Sequence, residues 1–251
     1  MTALVVAAAG SPDWADEIAV HLRDRGADAI RVTDRAAYVT RLADERAALI
    51  LVDGADADWR FWTVTPKISP ATRRIPVVLV TADAQQRDAA LLGGANMVVA
   101  PADLLDSLPM LLGDLARVPD LAELDRGCDE PLPPEALDAV RKFNAGAYHE
   151  QHDAFEALWM HDPRPVRQLY QGVLQVGIAY YQITRNNPRG ALKMLLRSIQ
   201  WLAPLPDVCQ GINIAQLRAD AARVRAELER VGEDGLDQFD RSLLKPVQMV
   251  E

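Results

Sequence analysis

The chain has 251 residues, 49% hydrophobic and 25% charged, which is ordinary for a folded protein and long enough for one large or two small domains. Its net charge is −9. Residues 1–118 carry −4 (12 basic against 16 acidic) and residues 119–251 carry −5 (15 against 20), so neither half has the basic excess of a nucleic-acid binder. No apolar run reaches the roughly 18 residues a membrane span needs, and the opening MTALVVAAAG has no basic residue before its apolar stretch, so neither a membrane segment nor a secretory leader is expected.

Five short apolar runs punctuate the first half: ALVVAAA (3–9), ADAIRV (27–32), AALILVD (47–53), IPVVLVT (75–81) and ANMVVAP (95–101). Most lack alternation, which suggests strands buried on both faces of a parallel sheet. Amphipathic stretches separate them. In the first, Trp14, Ile18 and Leu22 recur every four residues and Gly26 ends the pattern. Strands alternating with helices predict a five-stranded, doubly wound α/β domain, whose site lies at the carboxyl ends of the strands. Those ends are Asp53, Thr81 and Ala100-Pro101. Trp59, Phe61 and Trp62 follow Asp53 on a helix that cannot bury all three on one face. One of them left exposed would suit a protein contact; the alternative packs Trp62 on the sheet and half covers Trp59.

With these strand ends, residues 2–117 resemble the receiver domain of two-component response regulators. The resemblance makes Asp53 the position of the phosphoryl acceptor and Thr81 that of the hydroxyl after the fourth strand. It also shows what is missing. Ala8, Ala9 and Gly10 stand where that family has an acidic pair that holds magnesium, and Ala100 stands where it has a lysine before Pro101. Phosphoryl transfer to a carboxylate brings two anions together and relies on a metal and a cation to offset the charge. One carboxylate offers magnesium too few hard oxygens. Asp53 is therefore expected to be phosphorylated weakly or not at all, unless Asp13 or Asp16 folds back to supply an acid. The plainer roles are a turn acid for Asp53 and a loop-bonding hydroxyl for Thr81. Ala100-Pro101 is a candidate cis bond.

Residues 118–134 hold four prolines and several acids and read as a linker. From residue 135 to 251 the period becomes helical, with five amphipathic stretches beginning near PEALDAV, AYHEQHD, VRQLYQG, RGALKML and INIAQLR. No β pattern appears, and an all-helical bundle is expected. The tail EDGLDQFDRSLLKPVQMVE is expected to hold one more turn or to cover a groove.

The second of these helices carries His149, His152, Glu156 and Trp159 on one face, with Asp153 beside them. The third carries Arg167, Gln171 and Gln175 every four residues within an apolar helix. Polar stripes on neighbouring helices are expected to face each other. Three uses compete. His152 and Glu156 at i, i+4, aided by His149 or Asp153, could hold a metal, although Arg167 opposite would repel a cation. A His152–Glu156 pair, with Asp153, could serve acid–base catalysis. The plainest use is a buried hydrogen-bond network in which Glu156 pairs with Arg167. Arg189, Lys193 and Arg197 form a basic stripe on the fourth helix, which most simply faces solvent or an acidic partner.

The blocks FNAGAYHEQHDAFEALW (143–159), RQLYQGVLQVGIAYYQ (167–182), NNPRGALKML (186–195) and GINIAQL (211–217) resemble the bacterial helical family catalogued as the domain of unknown function numbered three hundred and nine. The match spans about 135–217. It implies a helical fold and a shared polar cluster, but no activity. The family usually has Glu at Asp153 and an apolar or aromatic residue at His149.

Function is then expected to be that of a signalling or regulatory adaptor, with a phosphorylation-incompetent receiver-like domain and a helical partner- or ligand-binding module. The alternative is a small-substrate enzyme, metal-dependent or not, centred on His152 and Glu156. No cofactor is called for, a protein partner is expected, and a homo-oligomer is left open. Two cysteines, Cys128 and Cys209, cannot build a disulfide framework or a zinc ribbon, which suggests a reducing cytoplasm.

Overall fold

The computed structural model describes residues 4–116 and 120–250. The chain divides into two units, Met1–Val118 and Pro119–Glu251. In the first, strands β1 (Leu4–Ala9), β2 (Ala27–Val32), β3 (Leu49–Asp53), β4 (Val77–Val80) and β5 (Met97–Val99) pair in parallel in the order β2-β1-β3-β4-β5. This is the flavodoxin-like doubly wound order. Helices α1 (Ala15–Arg23), α2 (Tyr38–Asp44), α3 (Trp59–Ile68) and α4 (Ala84–Leu92) fill the four crossovers, and α5 (Leu104–Met110) follows β5. The central strands β3 and β4 are buried throughout except for Asp53, as their unbroken apolar runs require. The sheet separates two cores. One gathers Tyr38, Trp59 and Trp62 with Ile50, Val52 and Leu79; the other gathers Ile18 and Leu22 with Leu51, Val78 and Leu108.

The aromatic trio of α3 does not form an exposed contact surface. Trp59 and Trp62 are buried. Tyr38 donates its hydroxyl to the Trp62 carbonyl at 2.8 Å and packs edge-on against its ring. Phe61, between them in sequence, is half-buried and lies beneath the Arg35 guanidinium, 4.2 Å from the ring centre.

The second unit begins earlier than its sequence suggests. Within the expected linker, Leu121–Cys128 forms a helix, α6, with Leu124 and Cys128 buried in the helical core. Asp120 caps it, accepting from the Glu123 amide at 2.9 Å. There follow α7 (Pro134–Asn144), α8 (Glu150–His161), α9 (Arg167–Thr184), α10 (Pro188–Leu202) and α11 (Ile214–Val231). α9 is the central element: Leu169, Tyr170, Val173, Val176, Ala179, Tyr180 and Ile183 are almost wholly buried, and α8 and α10 pack on it.

Two further features depart from expectation. A small antiparallel hairpin, β6 (Val208–Cys209) and β7 (Ile212–Asn213), turns through Gln210 and Gly211, whose φ values are 49° and 75°. Two left-handed residues in succession make a type I′ turn, where glycine is the natural second residue. Cys128 and Cys209 form a disulfide that ties α6 to this hairpin. It is reinforced by the Gln210 amide donating to the Cys128 carbonyl (2.7 Å) and by Gln210 Nε2 donating to the Gly127 carbonyl (3.1 Å). The tail meets both expectations, forming short 3-10 turns at Leu236–Gln238 and Arg241–Leu243 and covering the core. Leu236, Phe239 and Val247 are buried, and the Asn144 amide exchanges two hydrogen bonds with the Val247 backbone.

Candidate functional site

At the carboxyl end of the sheet, Asp53 finishes β3 half-buried, and its Oδ1 accepts from the Ala55 amide at 2.9 Å. It is thus a turn acid. Thr81, directly after β4, is buried and has its hydroxyl fully engaged. The hydroxyl donates to Gln86 Oε1 at 2.6 Å and accepts from the Asp83 amide at 3.1 Å. Gln86 Nε2 in turn donates to the Gly54 carbonyl at 3.0 Å. A side chain from α4 therefore ties the end of β4 to the turn after β3. Gly54 is required there, since a Cβ would stand 2.6 Å from that of Thr81.

The acids that might compensate for Ala8 and Ala9 are elsewhere. Asp16 pairs with Arg31 at 2.7 Å on the surface, and Asp13 is exposed. An acid not singled out from the sequence, Asp56, occupies the space beside Gly10, where any larger residue would collide with its carboxylate. Its Oδ1 accepts from the Asp58 amide at 2.7 Å, so it too serves a turn. Among the described residues no group of three or more His, Cys, Asp or Glu side chains could hold a metal ion. Ala100-Pro101, expected as a cis bond, is trans, with Pro101 opening a short 3-10 turn. Replacing Gln86 by alanine should leave Thr81 short of its acceptor and lower the unfolding free energy by about 1 kcal/mol, read by urea unfolding followed through tryptophan fluorescence.

In the helical unit the expected network does not form. His149 precedes α8 and lies edge-on to Tyr181, ring centres 5.4 Å apart. His152 Nδ1 lies 3.2 Å from the exposed Asp153 carboxylate. Glu156 is half-buried and has no ion-pair partner among the described residues. Arg167, expected to pair with it, instead lays its guanidinium over the Trp159 ring at 5.2 Å. The cause is helical spacing: Trp159 stands three residues beyond Glu156 and meets the start of α9 first.

Gln171 and Gln175 are 5% and 4% exposed, yet their Oε1 atoms have no hydrogen-bond partner, and neither has the buried Trp159 Nε1. Each such atom costs about 1–3 kcal/mol of desolvation. The sequence also concealed Gln151 on α8, wholly buried, which donates to the Tyr148 carbonyl at 2.9 Å. Its amide rests on Gly177, where a Cβ would also crowd Phe143 at 3.1 Å. Its signal was available in principle, as the i+4 partner of Phe155 on the face toward α9.

The remaining basic and histidine residues have local uses. Arg189 pairs with Glu233, Lys193 is exposed, and His161 Nδ1 lies 2.6 Å from the Ala157 carbonyl. A shallow, mostly apolar groove of about 530 Å³ runs between α7 and α8, lined by Ala154, Leu158 and His161. It lies on the flank of α8 away from His152 and Glu156. No helix among the described residues is long and apolar enough to cross a membrane.

Residues 136–194 match the family model described as Domain of unknown function (DUF309). An uncharacterized protein of Aquifex aeolicus (strain VF5) is 24% identical over 83 residues, covering 33% of this chain and 25% of that protein. The chain thus spans about a quarter of that relative's length. Two solved structures are similar to the N-terminal part. A response regulator from Chloroflexus aurantiacus J-10-fl is 16% identical, with 44% of this chain and 95% of that one covered at a TM-score of 0.38. The signal receiver domain of a signal transduction histidine kinase from Syntrophus aciditrophicus is 22% identical, with 47% and 96% covered at 0.37. The doubly wound assignment of the first unit stands on its own strand order and parallel pairing.

Proposed function

We propose that the chain is a regulatory adaptor in which a receiver-shaped unit serves as a docking platform and the helical unit as a binding module. The observation that carries this is the state of the strand-end site. Ala8 and Ala9 place no carboxylate on β1 itself, the Asp56 carboxylate beside Gly10 is held in a turn by the Asp58 amide, Ala100 leaves no cation at the end of β5, and Thr81 is bonded inward to Gln86. Phosphoryl transfer to Asp53 would have no acidic pair on β1 to hold magnesium, with only Asp56 nearby, and no cation to draw on the phosphoryl oxygens. The unit needs no cofactor in this role, and a protein is the partner that suits its surface.

Two-dimensional amide spectra of the chain with magnesium and beryllofluoride test this. They are expected to stay unchanged around Asp53, and acetyl phosphate is expected to leave the intact mass unaltered. A magnesium-dependent phosphoryl adduct that disappears in Asp53→Asn would show instead a working phospho-switch.

A further inference from the structure

Beyond its buried aromatics, α3 keeps an apolar outer face. Arg60, Val64 and Ile68 recur there every four residues, and all three are exposed, Ile68 to 75%. α4 ends beside them. A Cβ at Gly93 would stand 3.2 Å from Val64 Cγ2, and one at Gly94 would stand 3.2 Å from Lys67 Cγ. Leu91 and Leu92 immediately precede those glycines and are exposed as well, Leu92 to 90%. Val64, Ile68, Leu91 and Leu92 thus form one patch. Its apolar surface of roughly 400 Å² is the size of the largest patches on single proteins, which are often functional.

The rim of this patch is basic in an otherwise acidic chain. Between Asp58 and Asp83 no acidic residue intervenes, while Arg60, Lys67, Arg73 and Arg74 do. Arg60 stands one turn before Val64. The Arg73 amide donates at 2.8 Å to the carbonyl of Ser69, the neighbour of Ile68. Arg87 and Asp88, one turn before Leu91 and Leu92, offset each other.

The helical unit carries the reverse. Ala154, Ala157 and Leu158 line the apolar groove between α7 and α8, and Glu135 and Asp138 of α7 border it. Asp138 pairs with Lys142 at 2.8 Å, whereas Glu135 has no ion-pair partner among the described residues.

We propose that the α3–α4 patch of one copy docks in the α7–α8 groove of a second copy. This deepens the reading of the two units as docking platform and binding module and rests on it. Two protruding side chains, Ile68 and Leu92, meet a concavity that small alanines keep open, and both apolar surfaces leave water. Charge selects this pairing over like with like. Patch on patch would set Arg60 and Arg73 against further cations. Groove on groove would set Glu135 against further acids and leave two concave faces unfilled. Patch in groove brings the basic rim to the acidic border. Each copy carries one surface of each kind, so the contact is head to tail and builds a ring or a chain. The patch is about half the roughly 800 Å² per partner of a standard interface, so the association is weak and depends on concentration.

Sedimentation velocity of the full chain, from micromolar to millimolar concentration, tests this. The average mass of the wild type is expected to rise with concentration. Leu92→Asp spoils the patch and Ala157→Arg spoils the groove. Both positions are exposed, so the melting temperature should hold in each variant. Each variant alone should self-associate at least about tenfold more weakly than the wild type. Their equimolar mixture should recover association and stop at pairs, because one variant keeps an intact groove and the other an intact patch.

A wild type that stays monomeric throughout overturns the proposal. So does a mixture no more associated than its components, or a loss confined to one of the two variants, which would mean that like surfaces pair. The adaptor reading is decided separately by the beryllofluoride spectra: unchanged spectra with a monomeric chain would strike this pairing alone.

Discussion

Replacing Cys128 and Cys209 together by serine should lower the unfolding free energy of the helical unit by about 4 kcal/mol. The cross-link spans 81 residues, and closing a loop of that size removes a large share of the unfolded chain's freedom. The loss should not abolish the fold. Gln210 still bonds the carbonyls of Gly127 and Cys128, and the Tyr170 hydroxyl still donates to Gln210 Oε1 at 3.1 Å. Urea unfolding with and without dithiothreitol checks this. The oxidised wild type should unfold at a clearly higher midpoint than the reduced wild type, and the reduced protein should match the double variant. Coincident curves for all three would mean that the two thiols are unlinked in solution.

Replacing Gln171 and Gln175 together by methionine should act in the opposite direction and raise stability by about 2 kcal/mol. Methionine keeps the length and flexibility of glutamine while removing two buried carbonyl oxygens that have no donor. Most core substitutions destabilise, so a gain here identifies polar groups held against the interest of the fold, as binding sites commonly are. Thermal unfolding followed by circular dichroism decides: a drop in melting temperature would show that the two amides are satisfied in solution and belong to the core.

The sheet was legible in the sequence because each strand is a short, continuous apolar run bounded by turn residues. Such a pattern arises where both faces are covered. The five long helices of the second unit were legible from period alone. α6 was not, because an eight-residue helix flanked by prolines offers only three periodic apolar residues, Leu121, Leu124 and Cys128, against a background of acids. The Cys128–Cys209 link escaped for a related reason. A count of two gives no framework, and pairing across 81 residues is decided by tertiary geometry. The hairpin had a local sign in Gln210-Gly211, but strands of two residues leave no alternation to read.

At the candidate site, the positions of the polar residues were legible, since helical spacing sets them on common faces. Their partners were not. Arg167 chose the Trp159 ring over the Glu156 carboxylate, and Gln86, which ties Thr81 to Gly54, carried no periodic signal at all. Such choices depend on which side chain a neighbouring helix brings within reach.

The Thr81–Gln86–Gly54 bridge bears on how information could pass through the first unit. A two-state device needs an element with a second arrangement that a ligand prefers. Here the hydroxyl, both ends of the Gln86 amide and the Gly54 carbonyl are already committed to one another. On the proposed reading, a partner of this surface would meet the same face at all times, and its occupancy would follow concentration alone. Control would reside in how much of each protein the cell makes, and the unit would behave as a fixed address, with no message written on it.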